Sequence, residues 1–236
     1  MNGADTAILA LHGNLGSAED WNILSLSGIR AVDLWEHSAL SYREFADELA
    51  GSLSVGLERP VLAGYSLGGR LALSAMAMHP ERWGGAVLLS AHPGLRRAED
   101  RLARRVSDEE WAQRAREMPW SDFLLTWNQQ TVFGDGPAAP TSGQIALEPR
   151  HEAIALAFEN WSLGRQDDLR PALRSFRAPV LWITGEKDEK FTRLAAEMAE
   201  VFPDFQHVIL PGCGHRVLAE QPDPVVRGIA ERFGGG

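Results

Sequence analysis

Short apolar runs alternate along this chain with longer stretches that carry apolar residues at helical spacing. Thr6–Leu11 (TAILAL), Ile29–Asp33, Pro60–Gly64 (PVLAG), Ala86–Ser90 (AVLLS), Pro179–Thr184 (PVLWIT) and His207–Leu210 are short, apolar and bounded by turn residues, and read as buried strands. Between them, Ser41–Leu53, Leu67–Met78 and Phe191–Val201 have the spacing of helices that bury one face. Strands alternating with helices predict an α/β protein with a mostly parallel central sheet flanked by helices. Ligand sites in such a sheet lie beyond the carboxyl ends of its strands.

The alternation stops between His92 and Arg170. That stretch has no strand pattern and holds Trp111, Trp120, Trp127 and Trp161 among many arginines, which predicts a helical insertion over the top of the sheet. Gly134–Gly143 (GDGPAAPTSG) reads as a flexible loop within it, and Gly234–Gly236 as a frayed tail.

The strongest chemical signal is Gly64-Tyr65-Ser66-Leu67-Gly68, a Gly-x-Ser-x-Gly run between a predicted strand and a predicted helix. A turn this sharp strains the serine backbone and leaves no room for neighbouring side chains, so glycines flank it. It presents the Ser66 hydroxyl at the helix amino end, where backbone amides stabilise developing negative charge. The loop His12-Gly13-Asn14-Leu15-Gly16 follows the first strand and faces this turn. The amides of Asn14 and Leu67 are therefore the expected oxyanion hole.

A serine so placed requires an acid and then a histidine later in the chain. Asp188 follows the strand PVLWIT, and His215 follows the last strand, which gives the expected set Ser66, Asp188 and His215. Glu186 is the competing acid, or else a solvated loop charge. His79 and His92 have no place in the pattern, while His37 and His151 are secondary candidates for a pocket wall. The single cysteine, Cys213, has no paired base and is expected to be a small packing residue.

Composition narrows the partners. The chain has 236 residues with 23 Lys+Arg against 32 Asp+Glu, a net charge of −9. An acidic surface repels phosphate backbones and argues against nucleic acid or an anionic membrane as partner. One cysteine excludes an internal disulfide, and with no His-x-x-x-His or Cys-x-x-Cys pair no metal or organic cofactor is expected. Met1–Asp5 has no basic region, and no apolar run approaches a membrane span. These features predict a soluble cytoplasmic domain, and with the serine set the expectation is an enzyme acting on a small molecule, as a monomer or small homo-oligomer.

At the serine turn and the two later loops the sequence resembles the α/β-hydrolase superfamily along nearly its whole length. It is more narrowly similar to the menaquinone-pathway 2-succinyl-6-hydroxy-2,4-cyclohexadiene-1-carboxylate synthases. The similarity rests on LHGNLGSAEDW (Leu11–Trp21), GYSLGGRLAL (Gly64–Leu73), SAHPGL and SDEEWAQR within Ser90–Arg114, WNQQTVF (Trp127–Phe133), LRPAL, and TGEKDEKF (Thr184–Phe191). The resemblance implies an α/β-hydrolase core over 1–91 and 170–233, with a helical cap over 92–169.

It also implies a lyase. In that family the triad serine takes a ring proton next to a ketone, the oxyanion hole holds the enolate, and pyruvate is eliminated from 2-succinyl-5-enolpyruvyl-6-hydroxy-3-cyclohexene-1-carboxylate. Such a substrate carries three carboxylates, for which guanidinium forks are suited receptors. Arg70 lies one helical turn beyond Ser66. Of the basic cluster Arg96, Arg97, Arg101, Arg104 and Arg105, Arg104 matches the family's cap arginine best. Arg150 is a further candidate, with Tyr65 and Trp127 as pocket walls. The bland alternative for the arginines is surface ion pairing with Glu99, Asp100 and Asp108.

The chain departs from the family at Asp33–Ser38, where a Pro-Gly-His-Gly loop is usual, at Asn128, where tyrosine is usual, and at His215-Arg216-Val217-Leu218, which lacks a second histidine. The alternative function is a serine hydrolase, a carboxylesterase or carbon–carbon bond hydrolase, with Ser66 as covalent nucleophile.

Overall fold

The computed structural model describes residues 6–134 and 139–234. Met1–Asp5, the centre of the glycine- and proline-rich loop and the last two glycines therefore lie outside the described residues. Six parallel strands form one sheet: β1 (Ile8–Leu11), β2 (Ile29–Val32), β3 (Val61–Tyr65), β4 (Gly85–Leu89), β5 (Val180–Gly185) and β6 (Phe205–Leu210), in the order β2-β1-β3-β4-β5-β6. All six predicted strands form, with limits shifted by one or two residues. The last begins at Phe205 because its amino end pairs with Val180 on β5.

Period-two alternation assigns the two faces. Leu9, Leu11, Leu62, Leu88 and Trp182 point into one apolar cluster, with residues of α1 (Tyr42–Ala50), α2 (Leu67–Met78) and α8 (Glu189–Glu197). Ile8, Ala10, Val61, Ala63, Val87, Leu181 and Ile183 point into a second, closed by Trp21, Leu24, Val217 and Val225. The last two belong to α9 (Val217–Glu220) and α10 (Pro222–Phe233).

Between β4 and β5 the described residues form helices α3 (Ala98–Glu117), α4 (Trp120–Asn128), α5 (Ser142–Ala146), α6 (His151–Asn160) and α7 (Arg170–Leu173). The expected loop ends sooner than Gly143. Thr141 caps α5 by accepting from the Gln144 amide, while the Gln144 side chain returns to the Thr141 amide, so local capping converts the end of the loop into a helical turn. Trp111, Phe123, Trp127, Phe158 and Trp161 belong to the same apolar cluster as the sheet's first face. The Phe45 ring on α1 meets Trp161 at 5.2 Å between centroids, which joins this helical segment to the sheet layer.

The strand order reverses direction between β1 and β3. The chain leaves β1 toward β2 on one side and then crosses to β3 on the other, opening a crevice at the carboxyl ends of these two strands. Among the described residues no helix is long and apolar enough to cross a membrane.

Phe45 is fully buried at the junction of α1 and the α6 end. Phe45→Ala is expected to cost about 3–5 kcal/mol of stability, read as a lower urea midpoint with an unchanged far-ultraviolet spectrum before the transition.

Candidate active site

Ser66 occupies the turn between β3 and α2 with φ 50° and ψ −104°, a conformation that L-residues adopt under strain. The surrounding glycines explain how the turn closes. A Cβ on Gly64 would lie 2.5 Å from the Gly68 carbonyl oxygen, and one on Gly68 would lie 2.2 Å from that of Leu11. The Ser66 amide donates to the Leu89 carbonyl at 2.9 Å, and the Gly68 amide to His12 at 3.0 Å.

The Ser66 hydroxyl faces His215 Nε2 at 3.1 Å, and His215 Nδ1 lies 2.7 Å from Asp188 Oδ2. Asp188 and His215 are buried. An ionised carboxylate only accepts, so Asp188 fixes the ring proton on Nδ1 and leaves Nε2 to accept from Ser66. Glu186 is exposed and accepts from the Gly212 amide at 2.8 Å, a role in the loop rather than at the histidine. Phe191 flanks the imidazole at 4.5 Å between centroids.

β1 and β3 pair with Leu11 opposite Gly64, which puts the loop after β1 against the serine turn. Buried His12 organises that loop: its Nδ1 pairs with the Gly13 carbonyl at 2.8 Å, and its Nε2 accepts from the Leu34 amide at 3.0 Å. Asn14, Ser66 and Leu67 line one cavity of about 210 Å³ together with His215. As the first residue of α2, Leu67 has an amide with no intrahelical acceptor, which suits an oxyanion.

Arg70, Arg104 and Trp127 line the same cavity. Arg70 Nη1 donates to Tyr42 Oη at 2.5 Å and to the Trp161 carbonyl at 2.7 Å, both neutral acceptors. No carboxylate among the described residues lies within ion-pair distance of Arg70, and burial lowers its pKa. Arg104 is anchored through Nε to both oxygens of Asp108 at 2.9 Å, which spends one edge of the guanidinium and leaves the Nη groups. Asp108 is buried and also accepts from Ser162 at 2.7 Å. The other arginines of this basic cluster are used elsewhere, Arg96 on Glu197, Arg97 on Glu99, Arg101 on Asp167 and Arg105 on the Gly164 carbonyl.

Two expected residues stand outside this lining. Arg150 pairs with Asp33 at 3.3 Å and with Glu36 at 4.0 Å, so its charge is compensated at the carboxyl end of β2. Arg150, expected as a carboxylate receptor, is thus not brought to the serine cavity in this arrangement. Tyr65 lines an adjoining cavity of about 300 Å³, which shares Asn14, Trp127 and Phe133 with the first. His37 pairs with Glu48 and His151 with the Glu148 carbonyl, and neither lines the serine cavity. Cys213 is buried, and burial pushes its thiol up to about 12, so it stays protonated at neutral pH.

A profile of the Alpha/beta hydrolase family matches residues 8–227. The chain belongs to this family. It is 34% identical to 2-succinyl-6-hydroxy-2,4-cyclohexadiene-1-carboxylate synthase of Salmonella paratyphi C (strain RKS4594), over 95% of this chain and 92% of that one. The synthase of Salmonella agona (strain SL483) matches with the same identity and coverage. Among solved structures, MenH from S. aureus superposes with a TM-score of 0.83 at 22% identity, covering 99% of this chain and 95% of that one. Carboxylesterase CesB (YbfK) from Bacillus subtilis gives a TM-score of 0.67 at 22% identity, over 99% and 86% of the two chains. At these identities the solved structures establish the fold alone.

His92 has no place in the serine, acid and histidine pattern, yet in this alpha/beta hydrolase it forms part of the cavity wall. Its Nδ1 accepts from the Gly94 amide at 3.1 Å. Burial, with Lys190, Arg70, Arg170 and Arg104 adding to it, lowers its pKa to about 2, so the wall stays neutral. Lys190 also lines the cavity, from the first turn of α8. The sequence carried a signal for both, since His92 lies in the SAHPGL run and Lys190 in the TGEKDEKF run that resemble the synthases, but neither run says that these side chains meet in one cavity.

The neutral burial of His92 has a pH consequence. In the unfolded chain His92 takes up a proton below its ordinary value of 6.5, whereas in the folded protein it does so only near 2. Its contribution to stability is thus complete above pH 6.5 and declines as pH falls through the interval between these values. His92→Asn keeps an acceptor for Gly94. It is expected to flatten the loss of stability between pH 6.5 and 4, measured by urea denaturation.

Proposed function

We propose that this protein eliminates pyruvate from 2-succinyl-5-enolpyruvyl-6-hydroxy-3-cyclohexene-1-carboxylate to give 2-succinyl-6-hydroxy-2,4-cyclohexadiene-1-carboxylate. The observation that carries the reading is Arg70, a buried guanidinium in the serine cavity held by neutral acceptors and lacking a carboxylate of its own. An isolated buried cation is costly, and an anionic ligand removes that cost. The 34% identity to the synthases over nearly the whole chain supports the same conclusion. So does the resemblance of the acid loop. In this reading the core comprises 1–91 and 170–233, and 92–169 is a cap that supplies Arg104 and Trp127.

Chemistry follows from the hydrogen-bonded set. Ser66 passes its proton to His215 Nε2 and takes the ring proton next to the succinyl ketone, which by itself is too weak an acid for a neutral hydroxyl. The amides of Asn14 and Leu67 receive the enolate oxygen, and Asp188 stabilises the imidazolium. The electron pair returns through the ring, forms a double bond at the deprotonated carbon, shifts the existing ring double bond by one position and breaks the carbon–oxygen bond to the enolpyruvyl group. His215 returns its proton to that leaving group, which becomes pyruvate. Atoms and charge balance with no covalent acyl-enzyme. The acidic protein thereby acts on a small anionic molecule through locally clustered cations, in keeping with a soluble cytoplasmic enzyme.

Diene absorbance and pyruvate release, followed together in metal-free buffer, should rise with one-to-one stoichiometry. Clear turnover of a nitrophenyl ester without any pyruvate would move the protein to the hydrolases. Ser66→Ala is expected to lower turnover by at least about a hundredfold. Arg70→Ala should reduce kcat/KM for the anionic substrate by about tenfold or more and affect a neutral ester much less. Equal losses on the two substrates would remove the anion-receptor role.

A further inference from the structure

The substrate read above carries three carboxylates, and Arg150, expected from the sequence as one receptor, is paired with Asp33 and Glu36. One cation of the cavity wall has no assigned task. Lys190 lines the serine cavity and also the outer groove bounded by Gly134, Lys187 and Glu220, so it stands where the two meet. No carboxylate among the described residues lies within ion-pair distance of it. Its ammonium sits 5.6 Å from the centroid of the Phe191 ring, whose own centroid is 4.5 Å from that of His215.

We propose that Lys190 is the third carboxylate-binding cation of the cavity, seated at its mouth, and the residue that favours a tricarboxylate over a dicarboxylate ligand. The number of carboxylates rests on the elimination reading; the presence of a receptor for an anion does not.

Charge accounting around the cavity supports this assignment. Its lining carries Arg70, Arg104 and Lys190 against a single carboxylate, Asp108, which is committed to Arg104 and Ser162. Asp188 faces His215, and Glu189 and Glu220 line the outer groove and not the serine cavity. The residue is exposed at the rim, but neighbouring protein desolvates its ammonium and Arg104 repels it, and both lower its pKa. His92 shares the cavity lining with these cations and stays neutral, so it adds no further positive charge. Three cations against one carboxylate in the lining leave a positive potential, which Asp188 reduces at Lys190 and an entering anion neutralises. A lysine suits the rim, since its flexible stem follows a carboxylate on a mobile succinyl arm, whereas the inner guanidiniums hold fixed forks.

The test uses the full chain with Lys190→Met, which keeps the stem and removes the charge, and Lys190→Arg, which keeps the charge. With the enolpyruvyl substrate, Lys190→Met should raise KM by about tenfold or more, a larger change than in kcat, and Lys190→Arg should recover most of it. A turnover-independent arm measures tricarballylate and glutarate binding to Ser66→Ala protein by calorimetry at low salt. Adding Lys190→Met should weaken tricarballylate by about tenfold while glutarate, held by Arg70 and Arg104, changes much less. Unchanged tricarballylate affinity, equal loss of both ligands, failure of arginine to rescue, or no tricarballylate binding at all would overturn the assignment. If the native protein releases no pyruvate while tricarballylate binding still depends on Lys190, the elimination reading fails and the cation assignment stands.

Discussion

Everything at the site depends on one close approach of main chain to main chain. α2 begins against the end of β1 with no side chain between them, because Gly68 lies where any Cβ would meet the Leu11 and His12 carbonyls. The parallel pairing of Leu11 with Gly64 sets that distance, and the hydrogen bond from Gly68 to His12 closes it. This contact brings the loop of Asn14 to the amino end of α2 and holds Ser66 at positive φ. Sheet burial on both faces supplies the energy that keeps such strain in place.

A second constraint is electrostatic. The protein carries a net charge of −9, yet the cavity beside Ser66 concentrates cations. The arrangement is graded by compensation. Arg104 keeps a buried carboxylate, Arg70 has only a phenol and a carbonyl, and Lys190 has an aromatic face. Tyr42, itself pushed up to about 12 by burial, remains a neutral partner for Arg70 at any working pH. The cavity thus stores unsatisfied positive potential, which a polyanion can neutralise without competing with an internal salt bridge.

The helical segment between β4 and β5 links these two constraints. Its aromatic residues share one apolar cluster with the sheet and α1, so the position of Arg104 is tied to that of Arg70 through packed side chains. The Trp161 carbonyl, at the end of α6, directly accepts from Arg70. Arg170 joins the two ends of the segment by donating to the Gly94 carbonyl and pairing with Asp168.

The sequence by itself determined the alternation of strands and helices, the serine turn, and the order of serine, acid and histidine. These features are local: apolar periodicity, glycines around a sharp turn, and loops just past strand ends are written within a few residues. It also singled out Arg70 and Arg104. Only the tertiary structure decided which acid faces His215, since Glu186 and Asp188 differ by one turn of loop and only their long-range partners separate them. The same holds for Arg150, whose partners Asp33 and Glu36 are more than a hundred residues away, and for His92 and Lys190. A charge becomes a receptor only when folding denies it an internal partner, and partnership across the sheet leaves no trace in local spacing.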